Sequence, residues 1–375
     1  MGLLIIFAAL LLVYAPSAAK GIKEGLIVSA GVLIPSLFPF MVLCRLVSLT
    51  GMDKILSLPL GWITEKLYKL PRHMGALILL SMVGGFPVGA KMLSEQIVSG
   101  KTDAKTAERV LCFCVNAGPP FLLTAVGIGM FLSKEAGIIL LAAQISATVV
   151  TGIIFSLKAE MPKQSKTEKK SAVGAASAFV LAVTSSATAV IALCAFVVFF
   201  SGLLAVMSEI NIIPFLSQIS GADKAVVKAI VFGFFEVTSG CLAAAQLGGT
   251  AGFMLASAII SFSGLSVIFQ TAYFFRDYSV SMKPFFLSKI VHMPVSVIIS
   301  GLLYNKFCEH QKAWINVVPD MPVPEIFVNN ETIVVSICLI AMCTILIFST
   351  VGSKAVDTKV KMQDNQKKKC FFKKK

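Results

Sequence analysis

Long apolar runs alternate with short polar stretches along this chain, and the lengths of the runs decide how they are read. A bilayer core needs about 20 helical residues to cross it, and runs of that order lie near residues 2 to 19, 25 to 49, 103 to 132, 136 to 157, 176 to 207, 249 to 275, 284 to 305 and 332 to 350. The pattern predicts about eight crossings. Two further apolar segments, 74 to 98 and 226 to 247, are interrupted at their centres by glycine and small polar residues. They are read as re-entrant hairpins that enter and leave on one face, since irregular backbone inside a bilayer survives only where protein or water satisfies it. The predicted fold class is an all-α polytopic membrane protein with about eight transmembrane helices and two re-entrant hairpins.

Composition agrees. Hydrophobic residues make up 57% of the 375 and charged residues 14%, where soluble domains carry about a quarter charged. The formal charge of +14 does not point to nucleic acid, because much of it lies in a tail ending KKKCFFKKK, a basic stretch suited to anionic lipid headgroups. Cytoplasmic loops are enriched in Lys and Arg. With the tail placed inside, the segments 51 to 73 with the first hairpin, 99 to 109, 158 to 175 and 276 to 289 join it, and together with the tail they hold 25 of the 33 Lys and Arg. Both termini are then cytoplasmic. Segment 51 to 72, with Trp62 and Tyr68, reads as an amphipathic helix along that interface.

Four smaller features have plain readings. Most of the nine cysteines lie in apolar runs and read as small membrane hydrophobes; Cys370, in the tail, is a candidate for palmitoylation. Cys308 and His310 are too few ligands for a metal, and no cofactor motif is present. The stretch APSAAKG after Val13 resembles a signal-cleavage site, yet no Lys or Arg precedes it, so an uncleaved first span is expected. Arg45 is expected to snorkel to headgroups, Lys91 to pair with Glu95 four residues on, and His292 to be a packing histidine.

The two halves repeat in order: a full span, a glycine-broken hairpin, a span broken at its middle, and another full span. Gly84-Gly85-Phe86-Pro87-Val88 aligns with Gly233-Phe234-Phe235-Glu236-Val237, and Cys114-Val115-Asn116-Ala117-Gly118-Pro119 with Ser261-Phe262-Ser263-Gly264-Leu265-Ser266. Each copy has an odd number of crossings, so the second sits upside down relative to the first, the arrangement of secondary transporters. The organisation is then a first span in 1 to 24, a first repeat in 25 to 157, a basic cytoplasmic loop in 158 to 175, an inverted repeat in 176 to 305, an extracytoplasmic loop in 306 to 331, a last span in 332 to 350 and a basic tail in 351 to 375.

The breaks supply the candidate site. Gly84, Gly85, Pro87 and Gly89 permit one reversal, Pro119 starts a half-helix whose positive end faces the midplane, and Gly240 and Gly264 interrupt the second copy. Asn116, Glu236, Thr238, Ser239, Ser263, Ser266 and Gln270 are the candidate substrate-binding residues. Glu236 stands out, since a carboxylate at this depth costs about 2.5 to 3.5 kcal/mol on insertion scales.

The motifs GGFPVGAK, CFCVNAGPPFL, GFFEVTSG and SFSGLSVIFQ resemble the nucleoside-recognition, or Gate, superfamily, and within it the YlbJ-type sporulation integral membrane proteins. The likeness runs from about 25 to 305. It implies a fold similar to concentrative nucleoside transporters, a substrate held between hairpin tips and broken spans, and export of dipicolinate from the mother cell across the outer forespore membrane. Pro87 and Glu236 differ at matching positions, so the halves of the site are chemically unequal. The alternatives are a nucleoside-type carrier and a non-transporting scaffold for spore cortex formation. No phosphate-binding loop G-x-x-x-x-G-K-[ST] is present, so transport would be facilitated or coupled to a proton or cation. No HExxH or paired-aspartate constellation lies in the spans, so an enzyme is not expected. A homo-oligomer remains compatible with all these readings.

Overall fold

The computed structural model describes residues 9–162 and 174–308. Contacts divide the chain into two units, Met1–Val317 and Val318–Lys375, the second wholly outside the described residues. The basic stretch 163 to 173, most of the predicted extracytoplasmic loop, His310, the last span and the tail with Cys370 therefore lie outside them, as does the beginning of the first span.

Every regular element among the described residues is a helix. The first half comprises α1 (Ala15–Leu49), α2 (Asp53–Tyr68), α3 (Met74–Gly84), α4 (Phe86–Val98), α5 (Ala104–Cys114), α6 (Phe121–Met130) and α7 (Lys134–Ser156). The second repeats that order as α8 (Ala175–Glu209), α9 (Ile212–Ser220), α10 (Lys224–Phe235), α11 (Val237–Leu247), α12 (Gly249–Phe262), α13 (Gly264–Phe275) and α14 (Lys283–Cys308). Five stretches are long and apolar enough to cross a membrane: Ala15–Leu49, Lys134–Ser156, Ala175–Glu209, Gly249–Phe275 and Lys283–Phe307. The chain is thus a helical, multi-pass membrane protein.

The contacts exchange the halves symmetrically. α1 packs on α8 and α7 on α14, α4 meets α13 as α11 meets α6, and α5 meets α14 as α12 meets α7.

α1 corrects one expectation. The predicted spans 2 to 19 and 25 to 49 are not separated by a loop, because residues 15 to 49 form one helix with a π turn at Ser29–Leu33. Gly21 and Gly25, at the predicted boundary between these spans, make a close helix contact. A Cβ on Gly21 would overlap the Ser201 carbonyl of α8, and one on Gly25 would lie 2.9 Å from Ser201 Cβ; Ala18, Gly21 and Gly25 are the buried residues of this stretch. Small residues one turn apart let two membrane helices approach closely. Pro16 falls in the first turn of this helix. The count of two crossings before residue 50, on which the placement of the N-terminus rested, loses its turn.

The two glycine-broken segments do double back. Ser81 faces Gly89 across the α3/α4 turn at Gly85, and Gly233 faces Gly240 across the α10/α11 turn at Glu236. Each arm spans roughly 16 to 20 Å at 1.5 Å per residue, short of the ~30 Å hydrocarbon core. Of the charged residues near the first hairpin, Arg45 pairs with Glu95 and does not stand alone. Lys91 donates to the Ser185 carbonyl at 2.7 Å, so the expected Lys91–Glu95 pair is replaced by ties from α4 to α1 and α8.

Candidate functional site

In each half a hairpin tip docks on the break in the following span, and glycine makes the fit possible. A Cβ on Gly118, in the first break, would stand 2.9 Å from both Gly85 N and the Val83 carbonyl oxygen. In the second half, a Cβ on Gly264 would stand 3.2 Å from the Gly233 carbonyl oxygen and 3.3 Å from Val237 N. Gly85 and Gly264 have positive φ, +79° and +66°, a conformation that costs other residues strain. Ser263 adopts φ +76° as well.

These four elements enclose a cavity of about 40 Å³, lined by Gly85, Pro87 and Gly118 from the first half and by Glu236, Thr238, Ser266 and Gln270 from the second. Leu33, Leu37, Leu193 and Val197 of α1 and α8 supply an apolar wall. The space suits a water or two. A heterocyclic solute does not fit until the tips move.

Glu236 is 2% exposed and caps α11 with its side chain: its two carboxylate oxygens accept from Thr238 N at 2.9 Å and Ser239 N at 2.6 Å. No basic side chain pairs with it among the described residues. The four helices beginning near Phe86, Pro119, Val237 and Gly264 start at the tips and breaks, bringing partial positive charge there. Glu236 occupies one of those ends, whereas Gly85 leaves the equivalent end of α4 without a side-chain cap.

Not all predicted site residues face this cavity. Ser239 does not line it and contributes only a backbone N–H to Glu236. Asn116, 5% exposed, turns towards α7, donating to the Phe113 carbonyl at 2.8 Å and to Thr148 Oγ1 at 2.9 Å. Ser263 Oγ accepts from Lys289 Nζ at 2.9 Å. Both therefore belong to a second feature, a buried polar seam between α7 and α14.

Lys289, counted from sequence among the loop cations, lies inside the bundle at 4% exposure. Its ammonium donates to the Val115 carbonyl of the first break, at 3.2 Å, and to Ser263 of the second. One turn on, His292 Nε2 lies 3.4 Å from Thr148 Oγ1. Next along the seam, Gln144 Nε2 donates to Ser261 and Ser296, each at 2.8 Å. His292 Nδ1, Gln144 Oε1 and Thr151 Oγ1 are buried without a hydrogen-bond partner among the described residues. The signal was present in the sequence: Ser288, Lys289, His292, Ser296 and Ser300 recur at helical spacing in α14, and Gln144, Thr148 and Thr151 do so in α7.

A vestibule of about 1120 Å³ opens at the ends of α3, α4, α5 and α7. Pro71 and His73, which precede α3, and Gly100 to Asp103, which follow α4, share its wall, together with Lys105, Arg109, Cys112 and Lys158. Asp103 caps α5 through Thr106 N, Glu108 Oε1 accepts from Ser281 N at 2.7 Å, and Arg109 donates to the Lys69 and Glu160 carbonyls.

Compared with known proteins, the chain is similar to "Sporulation integral membrane protein YlbJ" of Bacillus subtilis (strain 168), with 23% identity over 312 residues that cover 76% of each chain. The likeness read from the motifs is thereby supported, and the chain is a distant relative of the YlbJ-type proteins. No family model and no solved structure matches it.

Proposed function

We propose that this chain is a membrane carrier for a small anionic or heterocyclic solute, bound where the two hairpin tips meet the two broken spans. The observation that carries the reading is the cavity itself: equivalent breaks from both halves, with no other architectural need to meet, enclose Glu236, Thr238, Ser266 and Gln270. Interrupted helices persist at membrane depth where they line a cavity. The exchange-symmetric helix pairs are those expected of an inverted repeat, and the shared vestibule wall suits a first hairpin that is re-entrant from one face. By its charge split, that face is cytoplasmic.

The solute we favour is dipicolinate, exported from the mother cell during sporulation at the outer forespore membrane. Support comes from the Gate-type motifs and from the sporulation protein the chain resembles. A planar dianion suits half-helix N-termini, hydroxyls and amides. A scaffold without transport is the second reading, favoured by the small volume of the cavity. Proteoliposomes separate the two: the purified full chain is expected to pass dipicolinate faster than uridine and far faster than protein-free vesicles. Uridine preference would move the assignment to a nucleoside-type carrier. Flux of neither above background would leave the scaffold.

Re-entrance has its own test. Single cysteines at Arg72 and Lys101 are expected to react with an impermeant reagent from the same face, and one at Lys134 from the other. Labelling of Arg72 and Lys101 positions from opposite faces would make α3–α4 a crossing and remove the inverted repeat.

A further inference from the structure

We infer that Lys289 is the receiving group for a carboxylate anion, exchanging its ties to Ser263 and Val115 for one carboxylate of the solute. The inference rests on the carrier reading and adds to it a cationic anchor outside the tip cavity.

Three independent observations lead to it. First, an ionisable side chain at membrane depth needs a partner, yet no Asp or Glu lies within ion-pair distance of Lys289 among the described residues. Its ammonium has a carbonyl, a hydroxyl and the face of Phe285, 4.7 Å from the ring centroid. Neutral partners of this kind hold a cation without cancelling its charge, and a carboxylate would make the stronger, charge-assisted bond. Second, the same seam carries His292 Nδ1, on a side chain 1% exposed, without a hydrogen-bond partner among the described residues; buried polar atoms are ordinarily satisfied by protein, water or ligand. Third, the vestibule wall reaches the helix that leads to Val115. Cys112, about one turn before Val115 on α5, is part of the vestibule wall, which also bears Lys101, Lys105 and Lys158. No acidic side chain forms an ion pair with these three among the described residues, whereas the nearby Asp103 and Glu108 are engaged by backbone N–H groups. The wall also carries Arg109 and Glu160, so basic side chains exceed acidic ones by one, and such an excess favours the opposite ion.

Position gives the step its consequence. Lys289 joins the first break, through Val115, to the second, through Ser263, and the adjoining Gly264 packs against the tip that carries Glu236. An anion that takes the ammonium from both breaks loosens the tie between the halves next to the closed cavity.

The test measures binding of dipicolinate, with uridine as the neutral probe, to the purified full chain. Lys289→Gln is expected to weaken dipicolinate binding about 10- to 100-fold, as for a lost hydrogen bond between charged groups, and to leave uridine binding within about threefold. Lys289→Arg should retain most of the dipicolinate affinity. Ser263→Ala removes the structural tie without the charge and should bind dipicolinate as well as wild type or better. If Ser263→Ala loses dipicolinate binding as Lys289→Gln does, or if Lys289→Gln binds it normally, Lys289 is a structural tie and the inference fails alone. Wild type that binds neither probe overturns the inference together with the carrier reading. Should Lys289→Gln fail to insert, the Arg and Ala variants decide: full binding by both supports the anchor, and loss in Ser263→Ala refutes it.

Discussion

Gly89→Ala is expected to prevent the first hairpin from docking and to leave little folded protein to extract. The added methyl would overlap the Cys114 carbonyl oxygen, which is backbone, and would lie 2.9 Å from Ser81 Cβ on the opposing arm. Neither neighbour is the free end of a flexible side chain. Overpacking a tight core by a methyl or methylene costs about 1 to 3 kcal/mol where side chains can shift, and more where they cannot. Here relief requires moving α4 off α5, which would also separate Gly85 from Gly118. Gly240→Ala makes the same test in the second half, since its Cβ would overlap Gly233 of the facing arm. Gly31→Ala is the control: a Cβ there meets nothing within 4 Å, and alanine is the better helix former by about 1 kcal/mol. Thermal unfolding in detergent, with size exclusion for dispersity, should show strong loss for Gly89→Ala and Gly240→Ala and none for Gly31→Ala. Wild-type stability in the first two would mean that the tips are not packed on the breaks.

These glycines mark what was legible from sequence. Gly85, Gly118 and Gly264 lie at interruptions of apolar runs that have no other reason to stop, whereas Gly89 and Gly240, read as parts of the breaks, lie inside α4 and α11 and admit neighbouring backbone. At Gly21 and Gly25, a glycine that opens a turn and a glycine that admits a neighbouring helix look alike in sequence until the neighbour is known. Here the neighbour is α8, more than 170 residues away in the chain. Side-chain direction at a break was also not legible. Asn116 and Ser263 stand at matching breaks as predicted, but the backbone there is irregular, with Ser263 at positive φ, so no helical or strand period fixes which way a side chain leaves. Lys289 was hidden for a different reason. It closes a short run containing Arg276 and Lys283, and positive-inside counting assigns such a cluster to a loop, whereas α14 begins at Lys283 and carries Lys289 inside.

Glu236→Gln is expected to stay folded and inserted while the pH or cation dependence of transport disappears. The carboxylate has two duties that the substitution separates. As a cap, it satisfies two N–H groups at the start of α11; the amide of glutamine keeps one acceptor oxygen, and even complete loss of a cap costs about 0.5 to 2 kcal/mol. Glu236→Ala, which loses both acceptors, should therefore be the less stable variant. As a charge, Glu236 shares the small cavity with the positive ends of helices and with Thr238, Ser266 and Gln270. A dianion brought beside an ionised carboxylate in a medium of low dielectric is strongly repelled. On the carrier reading, binding would then be accompanied by a proton on Glu236 or by a cation held against it, and either would make flux depend on the concentration of that ion. Glutamine removes the charge and hence the requirement, so flux of dipicolinate through Glu236→Gln should be flat across the pH or cation series that modulates wild type. A flattened pH profile identifies the proton as the coupling ion; a lost response to added monovalent cation identifies the cation. Normal flux with the wild-type response to both would confine Glu236 to its capping role and place the coupling elsewhere in the chain.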